Sequence, residues 1–590
     1  MYCEVAPPQA PLDALTYTFD PTQVSTLEPG DLLLVPLCKK PVLGVVLRIT
    51  EVPLCPDKDI QPVLKVLKKQ VVSPELLSLV HWVADYYLCP VGEVLGLVVP
   101  NITPSFFSEE HCSSGIGKSV KQEFSVTVAT RVDDFRARVQ KFIAEALGCG
   151  SVLFLMPEPY FAEWLPFLQN SFVNAVIEYH HHLTQRQLRA NWFSLLAADH
   201  KVVVGVRRAV WAPVKNLAGI VIISEHSQAF KEERQPKYHA RDVAIIRARF
   251  ASCPVLILDP APTLETWWNV RHRRFKIVDR LRLPRFRENV FVVDMRRHQK
   301  EVVSPRLLRE LNLALERKKS ALLYINRLGL ARFVVCEDCG QVLKCPNCLV
   351  PVLVTGTAVV CKLCGYTSGA PDFCPRCQGT QFLFRAPGVE MVVRSLEKLG
   401  IKARIFSKDD NHAQVLVGTR RMLSCEAERD LGLIALVNFD TELALPDFRS
   451  RERAFTLLVE LLQRAERAQA RLVIQTYRPF DPVINLALAG DLRGFIKEEL
   501  RIRQEAGFPP YRRLVALTVK GKDEKKARSE ALALMRDLEK IPGAEVFNPM
   551  PLRIILKLPR EVMPGRVISR SLLKRKGVKI KVDVDPLKVI

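Results

Sequence analysis

Short apolar runs alternate with amphipathic stretches over most of the chain. Four runs in its second quarter are almost wholly apolar: SVLFLMPE (151–158), KVVVGVRR (201–208), AGIVIISEH (218–226) and PVLILDP (254–260). Continuous apolar runs of this length are typical of strands that are buried on both faces of a sheet. Because helical segments separate these runs, the pattern predicts one parallel sheet covered by helices.

The same alternation resumes in the second half of the chain. SALLYINRLGLARFVV (320–335) predicts a strand, a turn and a second strand, and MVVRSLEKLG (391–400) predicts a helix. QVLVGT (414–419) and LGLIALVNFD (431–440) predict two more strands. A cysteine-rich block separates the first of these elements from the others. We therefore expect the block to be inserted in a second α/β lobe.

These patterns predict an α/β fold in which a β-rich N-terminal domain precedes two parallel-sheet lobes and a small α+β domain follows them. The expected divisions are 1–105 (N-terminal domain), 106–290 (lobe 1), 291–335 (start of lobe 2), 336–377 (cysteine-rich insertion), 378–490 (remainder of lobe 2) and 491–590 (C-terminal domain).

Charge is distributed unevenly along the 590 residues, which carry a formal net charge of +23. Residues 1–100 contain 7 basic and 11 acidic side chains, whereas residues 491–590 contain 24 basic and 13 acidic ones. A basic surface binds polyanions because phosphate contacts release condensed counterions, so we expect nucleic acid as a partner. A well-solvated surface without a partner is the alternative.

The chain shows no sign of membrane insertion or export. Its first 30 residues lack a charged segment followed by an apolar one, so we expect no signal peptide. We find no apolar run of roughly 18 residues, the length that a spanning helix needs. A cytoplasmic location is expected, where thiols stay reduced unless a metal or catalysis uses them.

The cysteine-rich block contains eight of the sixteen cysteines, as four CxxC pairs. A CxxC turn directs two thiolates at one ion, and two such turns complete a tetrahedral site. Eight ligands therefore predict two structural zinc ions, with no open position for catalysis. An iron–sulfur cluster or redox disulfides are the alternatives, although cluster motifs usually space their cysteines more tightly.

At this point the chain resembles a known family. NRLGLA, the four CxxC pairs, LPDFRSRERAFTLL and KYHARD (237–242) are similar to motifs of the PriA family of replication-restart helicases, also called primosomal protein N′. VPLCKKPVLGVVL (35–47) and VADYYLCPVGEVL (83–95) are similar to the family's N-terminal DNA-binding domain. FPPYRRL (508–514) and VDVDP (582–586) are similar to its C-terminal domain.

The resemblance also implies how the cysteines divide. It implies two nested zinc sites, one formed by Cys336, Cys339, Cys374 and Cys377 and the other by Cys345, Cys348, Cys361 and Cys364.

The family's ATP-binding motifs are degraded in this chain. Where a P-loop is expected, TVATRVDDFRARVQKF (127–142) has no glycine and no GK[ST], and Asp134 stands near the lysine position. The family's DEEH motif is replaced by Ile223, Ser224, Glu225 and His226, and an isoleucine cannot organise hydrated magnesium. The arginine-finger segment is ELLQRAER (460–467), which keeps Arg464 and Arg467 without their glycines.

Two further motifs have changed, since GSATP appears as LDPAP (258–262) and the GTQ segment as GTRRMLSCEAERD (418–430). We therefore expect both lobes to persist as vestigial helicase folds with no catalytic residue and no ATP hydrolysis. The predicted function is a DNA-binding scaffold that recognises forked or single-stranded DNA and helps to load the replicative helicase with primosome proteins. The alternatives are an active 3′–5′ helicase with an unorthodox nucleotide site, and a regulatory remnant that binds only proteins.

Two other family features have changed. The interval after Pro100 is too short for a winged-helix domain. The 3′-end pocket is altered, because LTY (15–17), Cys38 and Gln61 stand where the family has an acidic residue, a glycine and a lysine. DNA contacts are therefore expected mainly in the C-terminal domain. The candidates belong to its short runs of basic residues, which include Arg512, Arg513, Lys525, Lys526, Lys574, Arg575 and Lys576.

Two clusters of titratable residues carry no predicted function. The three histidines of EYHHHL (178–183) cannot all face one ion on a helix or strand. Asp440, Asp447 and Glu452 are expected to form a charged network with the arginines of the same segment, which are Arg449, Arg451 and Arg453.

Overall fold

The structure is a computed structural model with side chains. It describes residues 1–20, 27–38, 40–53, 60–102, 123–130, 134–278, 289–298, 301–326, 332–336, 338–339, 341, 343–346, 352–355, 358–361, 366–369, 372–383, 388–407, 413–420, 422, 430–445, 447–550, 552–587 and 589. No helix in this part of the chain is both long and apolar enough to cross a membrane.

The N-terminal unit is an antiparallel sheet followed by two helices. Its elements are β1 (Tyr2–Ala6), β2 (Leu15–Thr18), β3 (Leu32–Leu37), β4 (Lys40–Thr50), β5 (Lys65–Lys68), α1 (Pro74–Tyr86) and α2 (Val91–Val98). The strands lie in the order β2-β1-β4-β3-β5. Pro74 stands at the start of α1, where its missing N–H costs no hydrogen bond.

Lobe 1 contains the predicted parallel sheet. Its elements are β6 (Val126–Ala129), α3 (Phe135–Leu147), β7 (Ser151–Leu155), α4 (Phe161–Ser171), β8 (Val176–Glu178), α5 (Gln185–Ala197), β9 (Val202–Gly205), β10 (Leu217–Ile223), α6 (Ala240–Ala251), β11 (Val255–Leu258), α7 (Leu264–Arg271) and β12 (Lys276–Ile277). The strand order is β12-β6-β11-β10-β7-β9-β8. The four apolar runs become β7, β9, β10 and β11, which pair in parallel as predicted.

Lobe 2 begins with β13 (Val290–Asp294), α8 (Pro305–Glu316) and β14 (Ser320–Tyr324). The cysteine-rich segment follows β14. Its short strands are β15 (Arg332–Phe333), β16 (Val335–Cys336), β17 (Leu353–Thr355), β18 (Ala358–Val360), β19 (Thr367–Gly369) and β20 (Phe382–Leu383). They form two small antiparallel sheets, in the orders β15-β17-β18-β19 and β16-β20.

The rest of lobe 2 completes a second parallel sheet. Its elements are α9 (Val389–Lys398), β21 (Arg404–Ile405), β22 (Val415–Gly418), β23 (Leu431–Leu436), α10 (Asp440–Leu443), α11 (Ser450–Arg467), β24 (Arg471–Thr476), α12 (Pro482–Leu488) and α13 (Leu492–Glu505). The order β13-β24-β23-β14-β22-β21 places strands from both sides of the cysteine-rich segment in one sheet. This segment is therefore an insertion in lobe 2.

The C-terminal unit is a four-stranded antiparallel sheet with one long helix. Its elements are β25 (Arg512–Gly521), α14 (Glu524–Glu539), β26 (Glu545–Met550), β27 (Arg553–Pro559), α15 (Pro564–Val567) and β28 (Val578–Val584), and the order is β26-β27-β25-β28. The helix α13, which follows residue 490, packs its apolar side chains into the core of lobe 2 and not into this sheet.

One hydrophobic core joins three of these units. It includes Leu76 of α1, Trp211 and Val243 of lobe 1, and Leu517 and Leu556 of the C-terminal sheet. Lobe 2 has two core clusters, one on each face of its sheet, and the first also includes Ala261, Leu264 and Trp267 of lobe 1. The N-terminal helices, lobe 1 and the C-terminal unit therefore pack as one body, and the cleft between the lobes lies along its border with lobe 2.

Candidate functional site

The region predicted to hold a degraded P-loop lies between β6 and α3. Asp134 is the residue that precedes α3, and its carboxylate pairs with Arg138 at 3.7 Å on the surface. Residues 131–133 lie outside the described part of the chain. A P-loop requires a lysine where Asp134 stands, so the side chain here carries the opposite charge to the one that binds phosphates.

The predicted remnant of the magnesium-binding motif lies at the end of β10. Ile223 is buried, and Ser224 has a positive φ of 50°, which turns the chain sharply after the strand. Glu225 points into lobe 1, where it accepts hydrogen bonds from the Thr263 N–H at 2.9 Å and the Thr266 hydroxyl at 2.7 Å. Burial raises the pKa of Glu225 to about 7 despite the opposing charge of Arg241. Glu225 therefore holds the turn before α7.

His226 takes part in an ion network that crosses the cleft between the lobes. Its Nδ1 lies 2.7 Å from Asp259 Oδ2 of lobe 1, and its Nε2 lies 3.3 Å from Glu460 Oε1 of lobe 2. Glu460 also accepts hydrogen bonds from Arg420 at 3.0 Å and from the Tyr160 hydroxyl at 3.1 Å. Two residues of lobe 1 thus share one carboxylate of lobe 2.

The side chains of the network are charged and almost fully buried. The side chains of His226, Asp259 and Glu460 are 8%, 0% and 9% exposed. Burial alone would lower the pKa of His226, but the charges of Asp259 and Glu460 outweigh it and raise the pKa to about 10. Burial alone would raise the pKa of Glu460, but Arg420 and His226 hold it well below its usual range. The His226 imidazolium and the Glu460 carboxylate are therefore charged at neutral pH.

A cavity of about 290 Å³ occupies the cleft beside this network. Ile223 and Ser224 line it from lobe 1, and Arg464 and Arg467 line it from α11 of lobe 2. Pro260 of LDPAP also lines this cavity, so the structure brings together residues of three motifs that were predicted to be degraded. Glu225 and His226 line a different cavity, of about 220 Å³, that borders the C-terminal unit.

Four cysteines from the beginning and the end of the insertion converge. Cys336, Cys339, Cys374 and Cys377 place their sulfur atoms within 4.8 Å of one another, and two of the contacts measure 3.5 and 3.7 Å. Four thiolates bound to one zinc at ~2.3 Å lie roughly 3.8 Å apart in a tetrahedron. This cluster can hold a metal ion, and its four sulfur ligands fit zinc.

The other predicted set is only partly described. Cys345 and Cys361 are fully buried in the small core of the insertion, beside Val334 and Val359. Cys348 and Cys364 lie outside the described residues. The division into two nested sets stays a prediction.

The histidines of residues 180–182 do not share one partner. His180 is buried and lies 2.9 Å from Glu178, whereas His181 and His182 both approach Glu158, at 3.0 and 3.3 Å. Two of the three side chains thus meet one surface carboxylate.

The acidic residues of the segment after β23 pair mostly with arginines. Arg453 binds Asp447 at 2.8 Å, and Glu452 accepts from the fully buried Arg503 at 2.7 Å. Asp440 instead accepts the Tyr477 N–H at 2.9 Å, and burial raises its pKa to about 6. These groups hold α11 in place and reach neither the cleft cavity nor the cysteines.

Two family models match the two ends of the chain. The model of the PriA 3′DNA-binding domain (3′BD) matches residues 4–100, and the model of the primosomal protein N C-terminal domain matches residues 504–587. A replication restart protein PriA from Thermotoga maritima is 33% identical over 426 residues, which cover 68% of this chain and 57% of that protein. One from Treponema pallidum is 28% identical, and the match covers 90% of each chain.

This chain belongs to the PriA family. The match to the Thermotoga protein spans less than two thirds of that protein's length. Among solved structures, RecG bound to a three-way DNA junction matches with a TM-score of 0.37 and 10% identity, over 65% of this chain and 44% of that chain. A similarity of that size has no bearing on function.

The altered residues of the PriA-type 3′-end pocket lie together in the N-terminal sheet. The Tyr17 hydroxyl donates to the Pro36 carbonyl at 3.0 Å, and the Gln61 carbonyl accepts the Thr18 N–H at 3.0 Å. Cys38 has a φ of 47°, in the left-handed region that favours glycine, the residue that the PriA motif carries there. Cys38 thus adopts a backbone conformation that a residue with a side chain seldom adopts.

The C-terminal residues predicted to contact DNA differ in their exposure and in their ion pairing. Lys574 and Lys576 are exposed, whereas Arg575 lies between them and binds Asp537 and Glu530. Arg512 pairs with Glu545 at 3.0 Å, and Arg513 lies over the Tyr86 ring at 4.6 Å. Lys525 and Lys526 begin α14, which Asp523 caps. Their role in binding DNA stays a prediction.

The sequence motifs contained the partners of His226 but not the pairing. Asp259 belongs to LDPAP, Arg420 to GTRRM and Glu460 to ELLQRAER, which are three of the four other motifs predicted to be degraded. A search for charged residues at motif positions that normally contact nucleotide would have found them. Which of these residues contact one another can be read only from the structure, because it depends on how closely the two lobes approach.

Proposed function

We propose that this chain is a DNA-binding replication restart protein that does not hydrolyse ATP. It would recognise stalled or abandoned forks through forked or single-stranded DNA and help primosome proteins to load the replicative helicase. The observation that carries the proposal is the network of His226, Asp259, Glu460 and Arg420, because it bridges with fixed charges the cleft in which a helicase must open, bind nucleotide and close.

The cleft residues support the absence of hydrolysis. Phosphate binding by a P-loop needs backbone N–H groups and a lysine, and magnesium needs a carboxylate near the β- and γ-phosphates. At the described positions the chain offers Asp134, Ile223 and Ser224 instead. Glu460, the carboxylate that lines the cavity from lobe 2, already binds two cations and a tyrosine.

The DNA-binding part of the proposal rests on charge and on the family. The C-terminal hundred residues carry 24 basic and 13 acidic side chains, and the 3′BD model matches the N-terminal unit. The cysteine-rich insertion would serve as a rigid docking surface that holds two zinc ions, and the protein would act in the cytoplasm. In this scheme the lobes are a scaffold that fixes the insertion and the two end units relative to one another.

The test measures fork-DNA binding and ATP turnover on the same full-length preparation. We expect tight, salt-sensitive binding to a fork, no turnover above background, and no rise in melting temperature with millimolar magnesium–ATP, because a ligand stabilises only the state that it binds. DNA-stimulated turnover, or a magnesium-dependent rise in melting temperature, would show an active nucleotide site. Absence of DNA binding would leave only a role in protein contacts.

A further inference from the structure

An aromatic cluster lies where lobe 1 borders the C-terminal unit. The rings of Trp268 and His272 have centroids 4.1 Å apart at an angle of 32°, and Tyr511 meets Trp268 edge-on at 4.6 Å. The Arg560 guanidinium lies over the Trp268 ring at 5.0 Å. We call Trp268, Arg271, His272, Arg273, Arg274 and Arg560 the seam patch.

Local hydrogen bonds hold the parts of the seam patch in place. His272 Nδ1 lies 2.7 Å from the Trp268 carbonyl, so its exposed ring stays against the indole. Arg273 has a φ of 55°, which turns the chain after α7 and directs it past Asn269. Arg560 donates to the Pro510 carbonyl at 2.7 Å and lies 3.4 Å from the Asn269 side chain. The platform is therefore ordered before any ligand binds.

The seam patch is basic and largely unneutralised. Arg271, Arg273 and Arg274 are exposed, and among the residues that the structure describes none of the three has an acidic partner within salt-bridge distance. Burial lowers the pKa of Arg560, and the charge of Arg274 lowers it further, which indicates that positive charges crowd this corner. Glu561 is the acidic neighbour of Arg560 in the chain.

Two of the seven candidates predicted in the C-terminal domain are neutralised by carboxylates. Arg575 and Arg512 both bind carboxylates, as described above. Unpaired arginines beside an exposed ring are instead the combination that single-stranded nucleic acid binds, since the charges contact phosphates and the ring stacks on a base. In a duplex the base faces are covered by their neighbours, so only a single strand can use both parts.

We propose that the seam patch is a binding site for single-stranded DNA, in which Arg271, Arg273 and Arg274 contact phosphates and His272 stacks on a base. This site rests on the proposed function, because it names a surface through which the chain would hold an exposed strand at a fork. Arg560 and Trp268 position the stacking ring and connect the site to the C-terminal unit. Stacking on a ring and phosphate contact are both tolerant of base sequence.

The first test uses the full-length chain and an oligo-dT of fixed length. Replacing Arg271, Arg273 and Arg274 by Ala removes three phosphate contacts, so the slope of log affinity against log salt should become shallower by about two units. The matched control replaces Arg394, Lys398 and Lys402 of lobe 2 by Ala, which removes three exposed charges far along the chain from the patch and should leave the slope unchanged.

The outcomes separate this site from the proposed function. If the unaltered chain shows no salt-dependent binding to DNA, the proposed function fails. If it binds and the triple arginine variant keeps its affinity and slope, the DNA lies elsewhere and the seam patch is refuted while the function stands. An equal loss in the control variant also refutes it, since the effect would then reflect total charge.

The second test isolates stacking. His272→Ala should weaken binding to oligo-dT by roughly fivefold or more, because stacking of a base on an aromatic ring is lost. Binding to an abasic strand of equal length should not change, since that strand has no base to stack. Equal losses with both strands, or no loss with either, would refute the stacking role of His272.

Discussion

His226 has a pKa far above that of an ordinary histidine. Its ring lies between Asp259 and Glu460, two buried carboxylates that repel each other without it. Because removing one partner of a buried ion pair leaves an uncompensated charge, the energetic effect of such a residue is large. The imidazolium therefore holds the two lobes together at the cleft.

The first prediction concerns His226→Gln. The change should lower stability near pH 7 by about 3–5 kcal/mol, the usual cost of breaking a buried pair, seen as a lower melting temperature. The pKa of His226 is raised from 6.5 to about 10 in the folded chain. Its contribution is therefore complete below about pH 6.5 and is lost as the pH rises through about 10.

The melting difference between the variant and the unaltered chain should follow that profile. It should be largest at about pH 6.5 and below, and it should narrow as the pH rises to about 10. His298→Gln is the control, since His298 makes a comparable pair with Glu301 at 3.3 Å but is more exposed, and its loss should have little effect. A melting difference that is constant across this range would contradict a charged His226.

The cysteine-rich insertion is an element with little core of its own. Its buried apolar cluster consists of Val334, Val352 and Val359 with Cys345 and Cys361. Strands of two or three residues do not hold a fold without support, and small modules of this kind commonly depend on a metal. The four converging thiols of Cys336, Cys339, Cys374 and Cys377 supply the ligands for such a metal.

The second prediction concerns the metal content of this element. The purified chain should contain about two zinc ions, and Cys374→Ser should remove about one of them, because a tetrahedral site that loses a thiolate binds zinc much more weakly. Proteolysis should then cut within the insertion, while the two lobes keep their melting temperature, since their sheets pair without it.

Cys149→Ser is the matched control for zinc content. Cys149 is a half-buried cysteine of lobe 1 beyond the four CxxC pairs. Its replacement should leave the zinc content unchanged. Iron in place of zinc, or full zinc content in Cys374→Ser, would contradict the assignment.

At the scale of the whole molecule, the chain ends and lobe 1 form one packed body. Lys231 of lobe 1 is nearly buried and donates to the Val584 carbonyl at 2.7 Å, and it binds Asp583 at 2.9 Å. Tyr86 of the N-terminal unit donates to Asp585 at 2.5 Å. The last strand, β28, thus contacts both lobe 1 and the N-terminal unit.

The third prediction concerns Lys231→Met. The substitution keeps an unbranched side chain but removes the charge, so the contact between lobe 1 and β28 should lose about 2–3 kcal/mol. The C-terminal unit should become sensitive to protease at a lower temperature than lobe 2. Lys237→Met is the control, because Lys237 is more exposed and makes a single longer contact with Asp583, at 3.4 Å. Equal effects of the two variants would contradict the role of Lys231.

Much of this architecture was predictable from neighbouring residues. The apolar runs that become β7, β9, β10 and β11 predicted a parallel sheet, since strands buried on both faces must be apolar throughout. The CxxC spacing predicted a metal-binding insertion, because two residues between cysteines suffice to aim both thiols at one point. The degradation of the nucleotide motifs, inferred from residue types at fixed spacing, stays a prediction.

Only the tertiary structure decided which distant side chains meet. His226 and Glu460 are separated by more than two hundred positions, and Trp268 and Arg560 by nearly three hundred. No local pattern encodes such pairs, because they depend on how lobes and end units pack on one another. The same holds for Arg575. In the sequence it cannot be distinguished from its neighbours Lys574 and Lys576, whereas in the structure it pairs with Asp537. Backbone periodicity is a property of neighbouring residues, whereas charge pairing in a cleft is a property of the assembled chain.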